Sequence, residues 1–427
     1  MRRSLTNVGG EVTTGGDEEA AAILAHAIDV EPSSEEDSED RAHVHGFHAY
    51  PARAHPVTVR RLIEELVAVD GTVLDPFCGS GTVLVESMLS GRAAIGTDLN
   101  PIAVMLARAK TFPRNPDKTA ALVAAATGAA SVADKRRLAK SGATKRLPPE
   151  DVAQFAPHVL LELDGLRKGI ADAPAAHRPE LLLVFSSILV KLSAKKGDTS
   201  EGTTAKRIAA GYPTRLFVRK TEELARRFDE LFAALPSPPP RARVFEDDAT
   251  VLKNVADASV DAVITSPPYV ATYDYLAHHE LRMRWLGLDT GGLAKGEMGA
   301  RRNYERKLPQ MARKAWEGEL KSLLRSLARV MRPESPLVLL IADSATLGPD
   351  GVATPLYADD IVHEVAEHRR HFRPYARASQ VRQHFHPRTN AAFADRPRKE
   401  HALLLVRTDR RVEQGEGVPG RRRIVGA

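Results

Sequence analysis

Two short segments hold residues whose types and spacing could do chemistry. The first is Val73-Leu74-Asp75-Pro76-Phe77-Cys78-Gly79-Ser80-Gly81-Thr82. An apolar run ends in a carboxylate, turns through Gly-x-Gly, and continues into a helical pattern. Such a turn lets backbone N–H groups come close to a ligand. No Gly-Lys-Ser/Thr follows, so it is not a phosphate-binding P-loop, and it lacks the third spaced glycine of a dinucleotide fingerprint. Asp75 at the strand end suits a cationic or hydroxyl-bearing cofactor better than a pyrophosphate. Asp98 stands 19 residues beyond Gly79, at the end of the next apolar run. That is the usual place for an acid that accepts from ribose hydroxyls. The second segment is Thr265-Ser266-Pro267-Pro268-Tyr269. Two prolines after a strand force the chain out of the sheet and leave carbonyls with no ladder to serve. Ser266 Oγ and a free carbonyl suit an exocyclic amine, and Tyr269 offers a flat face on which a base can stack.

These segments need strands to aim them. Short apolar runs predict strands at Thr72–Leu74, Ala93–Gly96, Ala242–Phe245, Val260–Thr265, Pro336–Ala342 and Ala402–Val406. Helical spacing at Val57–Val69, Gly81–Ser90, Pro101–Lys110, Leu320–Met331 and Ile361–Arg369 alternates with them. Alternation of this kind predicts an α/β domain with a mainly parallel sheet. Ligands then bind outside the carboxyl ends of strands at the topological switch point, which the first and fourth of these strands would flank. Between 111 and 240 the pattern is helical only, at Thr119–Lys140, Pro149–Ile170, Pro179–Lys195 and Val218–Leu235. The expected organisation is therefore a domain of residues 42–110 and 241–407, interrupted by a helical insertion at 111–240.

The Asp75–Thr82 motif resembles the cofactor motif of S-adenosylmethionine-dependent amino-methyltransferases. The stretch from Phe47 to Pro56, with Tyr50, Arg53 and His55, resembles the segment that completes the methionine pocket in those enzymes. Ser266-Pro267-Pro268-Tyr269 resembles the catalytic motif of DNA amino-methyltransferases, and a first-position Ser favours the cytosine-N4 branch over the adenine-N6 branch. The resemblance covers residues 45–110 and 242–407. It implies a class I methyltransferase fold, Rossmann-like, with a mainly parallel seven-stranded sheet and a helical insertion. It implies S-adenosylmethionine as cofactor and DNA as substrate. Asp75, Pro76, Phe77, Gly79, Ser80, Gly81 and Arg53 would hold the methionine part, with Asp98, Leu99 and Asn100 at the ribose. Asp248 would meet the adenine amine, with Asp247 as its rival and a helix N-cap as its plainer role. Ser266, Pro267, Pro268 and Tyr269 would be catalytic, by direct in-line transfer to a flipped base. The alternatives are an adenine-N6 enzyme, an RNA methyltransferase of the transfer-RNA guanine-N2 type, and a non-catalytic binding module. A restriction endonuclease acting on the same site is a possible companion.

Charge and composition set limits on these readings. Residues 1–41 hold eleven acids against three bases, so the net charge of +6 becomes about +14 over the rest of the chain. A basic body suits a polyanionic partner. The acidic head is expected to be disordered apart from a short helix near Glu18–Ile28, serving as a solubilising tail or a shield for the nucleic-acid face. Residues 408–427 read as a disordered basic tail. Lys195, Lys196, Lys206, Arg207, Arg215, Arg219 and Lys220 in the insertion, and Arg301, Arg302, Arg306 and Arg313 beyond it, are candidate phosphate contacts; a solvated helical lid is the other reading of the insertion. A single cysteine, Cys78, rules out a disulfide framework. It reads as a packing residue, and no other thiol is present for carbon-5 methylation of cytosine. No metal is expected; His43, His45 and His48 are irregularly spaced and read as surface histidines. With no long apolar run and no secretory signal, a cytoplasmic setting is expected.

Overall fold

The computed structural model describes residues 10–30, 41–112, 114–199, 202–369, 371–382 and 389–408. Ten strands lie along it: β1 (Val12–Gly16), β2 (Thr72–Asp75), β3 (Ala93–Asp98), β4 (Ala242–Glu246), β5 (Ala262–Thr265), β6 (Pro336–Ala342), β7 (Ser344–Leu347), β8 (Ala353–Leu356), β9 (Phe372–Val381) and β10 (Lys399–Arg407). Eight of them form one sheet in the order β1-β9-β10-β6-β5-β2-β3-β4, and β7 and β8 pair separately. From β4 through β6 every neighbouring pair is parallel. β10 is antiparallel to β6 and β9, and β1 is antiparallel to β9. Chain order reverses between β2 and β5, so these two strands flank the switch point. This is the class I methyltransferase arrangement with one strand more than the expected seven.

The extra strand comes from the acidic head. Residues 12–16 add an edge strand to β9, and Glu18–Ile28 forms a helix capped by Asp17 Oδ1 accepting from Ala20 N at 3.1 Å. The helix is where the sequence placed it, but residues 12–16 were expected to be part of a disordered head and are a strand instead. Leu24 and Ala27 are fully buried against Val59, Leu62 and Ile63 of the next helix. Gly16 has φ +93°, and a Cβ there would meet Tyr375 O at 2.4 Å, so this turn needs its glycine. The rest of the expected head, at 1–9 and 31–40, and the expected tail from 409 on, lie outside the described residues.

Each central strand divides its side chains between two cores, as a period of two requires. Val73, Ala262, Ile264, Val338, Ala402 and Leu404 face the helices Glu18–Ile28 and Pro56–Leu66. Leu74, Val263, Leu337, Leu339, Leu403 and Leu405 face Pro309–Val330 and Ala358–Arg369. Proline starts many of these helices where its missing N–H costs nothing: Pro56, Pro101, Pro116, Pro149, Pro157 and Pro309.

Between β3 and β4 the chain is helical: Pro101–Thr111, then Pro116–Leu138, Pro149–Gln154, Pro157–Asp172, Arg178–Leu192 and Tyr212–Ala234. The single helix expected over Pro149–Ile170 is two, broken where Pro157 begins a new one. Pro116–Leu138 and Pro157–Asp172 pack at small residues. A Cβ on Gly169 would lie 2.4 Å from Ala129 O, and one on Gly165 would lie 3.0 Å from Ala133 Cα. Buried or half-buried ion pairs fasten the insertion to the helix after the Ser-Pro-Pro-Tyr turn, Arg282 with Asp198 and Arg284 with Asp151, while Arg114 pairs with Glu180 inside it. No helix among the described residues is long and apolar enough to cross a membrane.

Candidate active site

The Gly-rich turn sits at the carboxyl end of β2. Gly79 and Gly81 have φ of +48° and +83°, a region that L side chains avoid. A Cβ on Gly79 would reach within 3.1 Å of the Tyr50 ring, and one on Gly81 within 3.1 Å of Ala107 Cα. Gly79 thus opens a ligand cradle, while Gly81 lets two helices approach. Asp98 shapes the turn from the end of β3. Its Oδ2 accepts from Gly79 N at 2.9 Å and its Oδ1 from Asn100 N at 2.8 Å. Asp75 Oδ1 accepts from Phe77 N at 3.1 Å and from Thr265 Oγ1 at 2.7 Å. Burial pushes both carboxyls up, Asp75 to about 7 and Asp98 to about 6. The hydrogen bonds hold each below where burial alone would put it.

A cleft opens above these strand ends. Pro76, Phe77, Gly79, Asp98, Leu99, Asn100, Asp248, Ser266 and Pro268 line it, so nine of the expected residues converge there. Tyr50, Tyr275, Leu293, Gly296, Glu297 and Met298 complete the wall. Asn100 is divided between structure and site. Its Oδ1 caps the helix from Pro101, and its Nδ2 donates to Tyr50 Oη at 3.2 Å and meets His279 Nδ1 at 2.9 Å. Asp248 Oδ1 accepts from Thr250 N and Oγ1 in a turn, with no helix following for it to cap, while its Oδ2 faces Gly296. Asp247 also lines the cleft, but its carboxylate is committed to Asp248 N and to Asn254.

Other expected residues stand elsewhere. Asp75 is buried beneath the cleft, and Ser80 and Gly81 are packed behind it. Arg53 lines a second cavity and donates to His45 O. That cavity shares Ala52 and Ser266 with the cleft. Tyr269 lines it, and Ser266 lines both cavities.

Several readings of the sequence need correction. His45 and His48 are buried, not surface residues. Val44 and Phe47 are drawn fully into the core beside the insertion, and the histidines go in with them. His45 Nε2 then pairs with Glu86 Oε1 at 2.7 Å, and His48 Nε2 with Ser186 Oγ at 3.0 Å. Two trios of potential metal ligands result from the folding, His43–His45–Glu86 and Asp343–Asp359–His401. Arginines already pair with acids in both, Arg60 with Glu86 and Arg396 with Asp359. Some candidate phosphate contacts are engaged inside the protein. Lys206 Nζ caps three carbonyls at the end of Arg178–Leu192, and Lys220 pairs with Glu223. Arg302 bridges Asp274 and Glu297, and Arg313 pairs with Glu317 and Glu364. Cys78 is buried beside Gly96, as a packing residue should be.

Glu297 is the wall residue that the sequence concealed. It belongs to no motif; its only trace is Arg302 five residues on, which holds its Oε2 at 2.5 Å while Oε1 accepts from Tyr275 N at 2.7 Å. Asp98, Asp248 and Glu297 make the cleft acidic, with two tyrosines beside them. An acidic, partly aromatic cleft fits a cofactor carrying a sulfonium and an ammonium.

Residues 27–108 match the sequence model of the DNA methylase family. The Type II methyltransferase M.MvaI of Kocuria varians is 42% identical over 77 residues, 17% of each chain. M.MjaII of Methanocaldococcus jannaschii is 36% identical over 74 residues, 17% of this chain and 14% of that one. M.BsoBI of Geobacillus stearothermophilus is 23% identical over 277 residues, 58% of this chain and 53% of that one. The chain thus spans about half, or less, of the curated relatives it matches. Among solved structures, a SAM-dependent methyltransferase from Methanosarcina mazei aligns with a TM-score of 0.30 and 10% identity, over 80% of this chain and 95% of that one. The rRNA methyltransferase aviRa of Streptomyces viridochromogenes aligns with a TM-score of 0.30 and 16% identity, over 74% and 85%. These superpositions are loose, and the fold assignment rests on strand order and switch point. The architecture is that of a class I S-adenosylmethionine-dependent methyltransferase. Residues 27–108 are similar to the DNA methylases, and S-adenosylmethionine is the cofactor this combination implies.

Proposed function

We propose that this chain transfers a methyl group from S-adenosylmethionine to an exocyclic amine of a DNA base, with cytosine N4 the favoured target. One observation carries this reading: Ser266 lines both cavities, so a group held at Ser266 lies between a cofactor cleft and a separate chamber. When bound, the cofactor supplies an electrophilic methyl on a sulfonium. The chain's own residues do the rest. Phe77, Gly79 and Asp98 hold the cofactor, Asp248 Oδ2 accepts from its adenine amine, and Asp75 holds the turn from below. A base buried in a duplex hides its amine, so the target is flipped out into the chamber. Tyr269 stacks on it, and Ser266 Oγ and the Pro267 carbonyl accept its amino hydrogens. Those acceptors leave the nitrogen lone pair free to point at the cleft. Transfer is then a matter of positioning and electrostatics, with no covalent enzyme adduct. Ser at position 266 supports cytosine over adenine.

The test is methyl transfer from labelled S-adenosylmethionine to duplex DNA, single-stranded DNA and bulk RNA, followed by nucleoside mass spectrometry. N4-methylcytosine in DNA is the expected product. N6-methyladenine would move the reading to the other branch, and methylated RNA with unmodified DNA would overturn the substrate.

A further inference from the structure

We infer that Leu308 and Met311 form an apolar wedge that enters the base stack of duplex DNA where the target base leaves it. The inference deepens the proposed methyl transfer and rests on it. Leu308 is 56% exposed and Met311 is 60% exposed. Leu308 immediately precedes the helix Pro309–Val330 and Met311 lies in its first turn, so the two side chains, three residues apart, are neighbours on the surface. Adjacent large apolar groups left in water and rimmed by polar ones mark a contact surface.

Topology places this wedge over the site. The far end of the helix lies at the amino end of β5, where Arg329 O accepts from Ala258 N at 3.0 Å and Val330 O from Ser259 N at 2.8 Å. Its first turn therefore lies at the carboxyl end of the sheet, with the Ser-Pro-Pro-Tyr turn and both cavities. The helix has 22 residues, about 33 Å, against about 13 Å for the four residues of β5. It projects beyond the strand ends. Gly299 fixes the level: its N donates to Glu319 Oε2 at 2.8 Å, and a Cβ on it would stand 3.3 Å from Pro268 O and 3.4 Å from Trp316 Cζ3. Trp316 is thus level with the base-holding turn, and Met311 and Leu308 lie about 8 and 12 Å further out along the helix axis. Ala271 N donates to Gly299 O and Arg301 N to Tyr273 O, which clamps the intervening loop onto that turn.

Charge names the occupant. Residues 301–314 hold six bases against one acid, Glu305, and Arg306 and Lys314 are exposed on either side of the wedge. A second copy of the chain would set this charge against itself, whereas a duplex brings phosphates. Extruding a base leaves a gap in the stack, and apolar side chains that enter such a gap replace lost contacts. Neither Leu nor Met presents a strong hydrogen-bonding group, so the wedge acts on extrusion and not on which sequence is read.

The experiment uses the full chain. The methylated position in genomic DNA is mapped first, and duplexes of that site are made with the target base paired or mispaired. Mispairing lowers the cost of extrusion. Leu308→Ala combined with Met311→Ala should slow methyl transfer to the paired target by about tenfold and to the mispaired target by no more than about twofold. Cofactor affinity and melting temperature should hold, since both side chains already stand in water. Equal loss on the two duplexes, or none on the paired one, would overturn the inference. Arg306→Gln combined with Lys314→Gln should reduce the salt dependence of duplex binding by about two phosphate contacts; an unchanged dependence would take the duplex off this surface. A wild type that dimerises and a double-alanine variant that does not would give the wedge to a second copy and overturn its role on DNA. Absence of any methylated base in DNA would overturn the methyl-transfer reading, and this inference with it.

Discussion

Thr265 Oγ1 donates to Asp75 Oδ1 at 2.7 Å, across the two strands that flank the switch point. Asp75 ends the strand before the cofactor turn, and Thr265 immediately precedes the Ser-Pro-Pro-Tyr turn. One hydrogen bond thus fixes the height of the cofactor floor against that of the base-holding turn. Thr265→Val keeps the shape and removes the donor. Its expected effect is a fall in kcat of on the order of tenfold, from loss of a bond worth about 1.5 kcal/mol. Steady-state kinetics beside cofactor titration checks this; an unchanged kcat would show that the two turns hold their spacing without it.

The two buried acids give a pH dependence with a definite sign. Burial raises Asp75 to about 7 and Asp98 to about 6, from an ordinary value of 3.8. The folded chain therefore keeps protons that the unfolded chain has released. Stability from these groups is complete below about 4 and is lost as pH rises through about 6 to 7. A cationic cofactor wants the ionised acids, so its affinity should rise over the same window, with protons released on binding. Melting curves with and without S-adenosylmethionine across this range test both signs. A stabilisation by cofactor that is constant with pH would contradict the account.

Asp98→Ala removes the acceptor for two backbone N–H groups as well as the proposed ribose partner. Cofactor affinity should fall by at least tenfold. The turn should also lose about 1–3 kcal/mol, because Gly79 N and Asn100 N are left unpaired. Calorimetric titration and denaturant melts separate the two effects. Unchanged affinity would remove the ribose role.

Ser266→Ala combined with Tyr269→Ala acts on the other side of the site. Transfer should drop by on the order of 100-fold or more, while cofactor affinity stays within about twofold. Ser266 lines the cofactor cleft, so lost cofactor binding would mean that the two cavities have been assigned in the wrong order.

Gly169→Val tests the insertion alone. A Cβ there meets Ala129 O at 2.4 Å, so the two helices must separate, at a cost of about 1–3 kcal/mol. The melting temperature should fall while cofactor affinity is retained. Loss of both together would show that the insertion and the sheet fold as one unit.

The site was more legible in the sequence than its surroundings. Asp75, Gly79, Asp98 and Ser266 sit at strand ends whose apolar runs are plain, and turn chemistry fixes their roles locally. β9 was not legible: Phe372–Val381 carries Pro374, Arg373, Arg377, Ser379 and Gln380, and its share of the core beside β1 is two alanines, Ala376 and Ala378. Its strand state depends on pairing with β10, forty or fewer residues away in places but distant in pattern. β1 is more extreme, since the β-branched run Val-Thr-Thr is cut short by two glycines and is defined by the edge it completes. Histidine burial at 45 and 48 was hidden for the same reason. The carboxyl and hydroxyl that admit those rings come from Glu86 and Ser186, 41 and 138 residues away.

β1 also has a consequence for handling the protein. Its five residues cover one side of β9, a strand of ten residues whose other side is taken by β10. Trimming the chain at residue 41, as its acid-rich opening invites, would leave that ladder of N–H and C=O groups bare. An uncovered edge of this kind recruits strands from other molecules. The shortened protein should therefore self-associate with increasing concentration, and the opening residues act as a guard against aggregation.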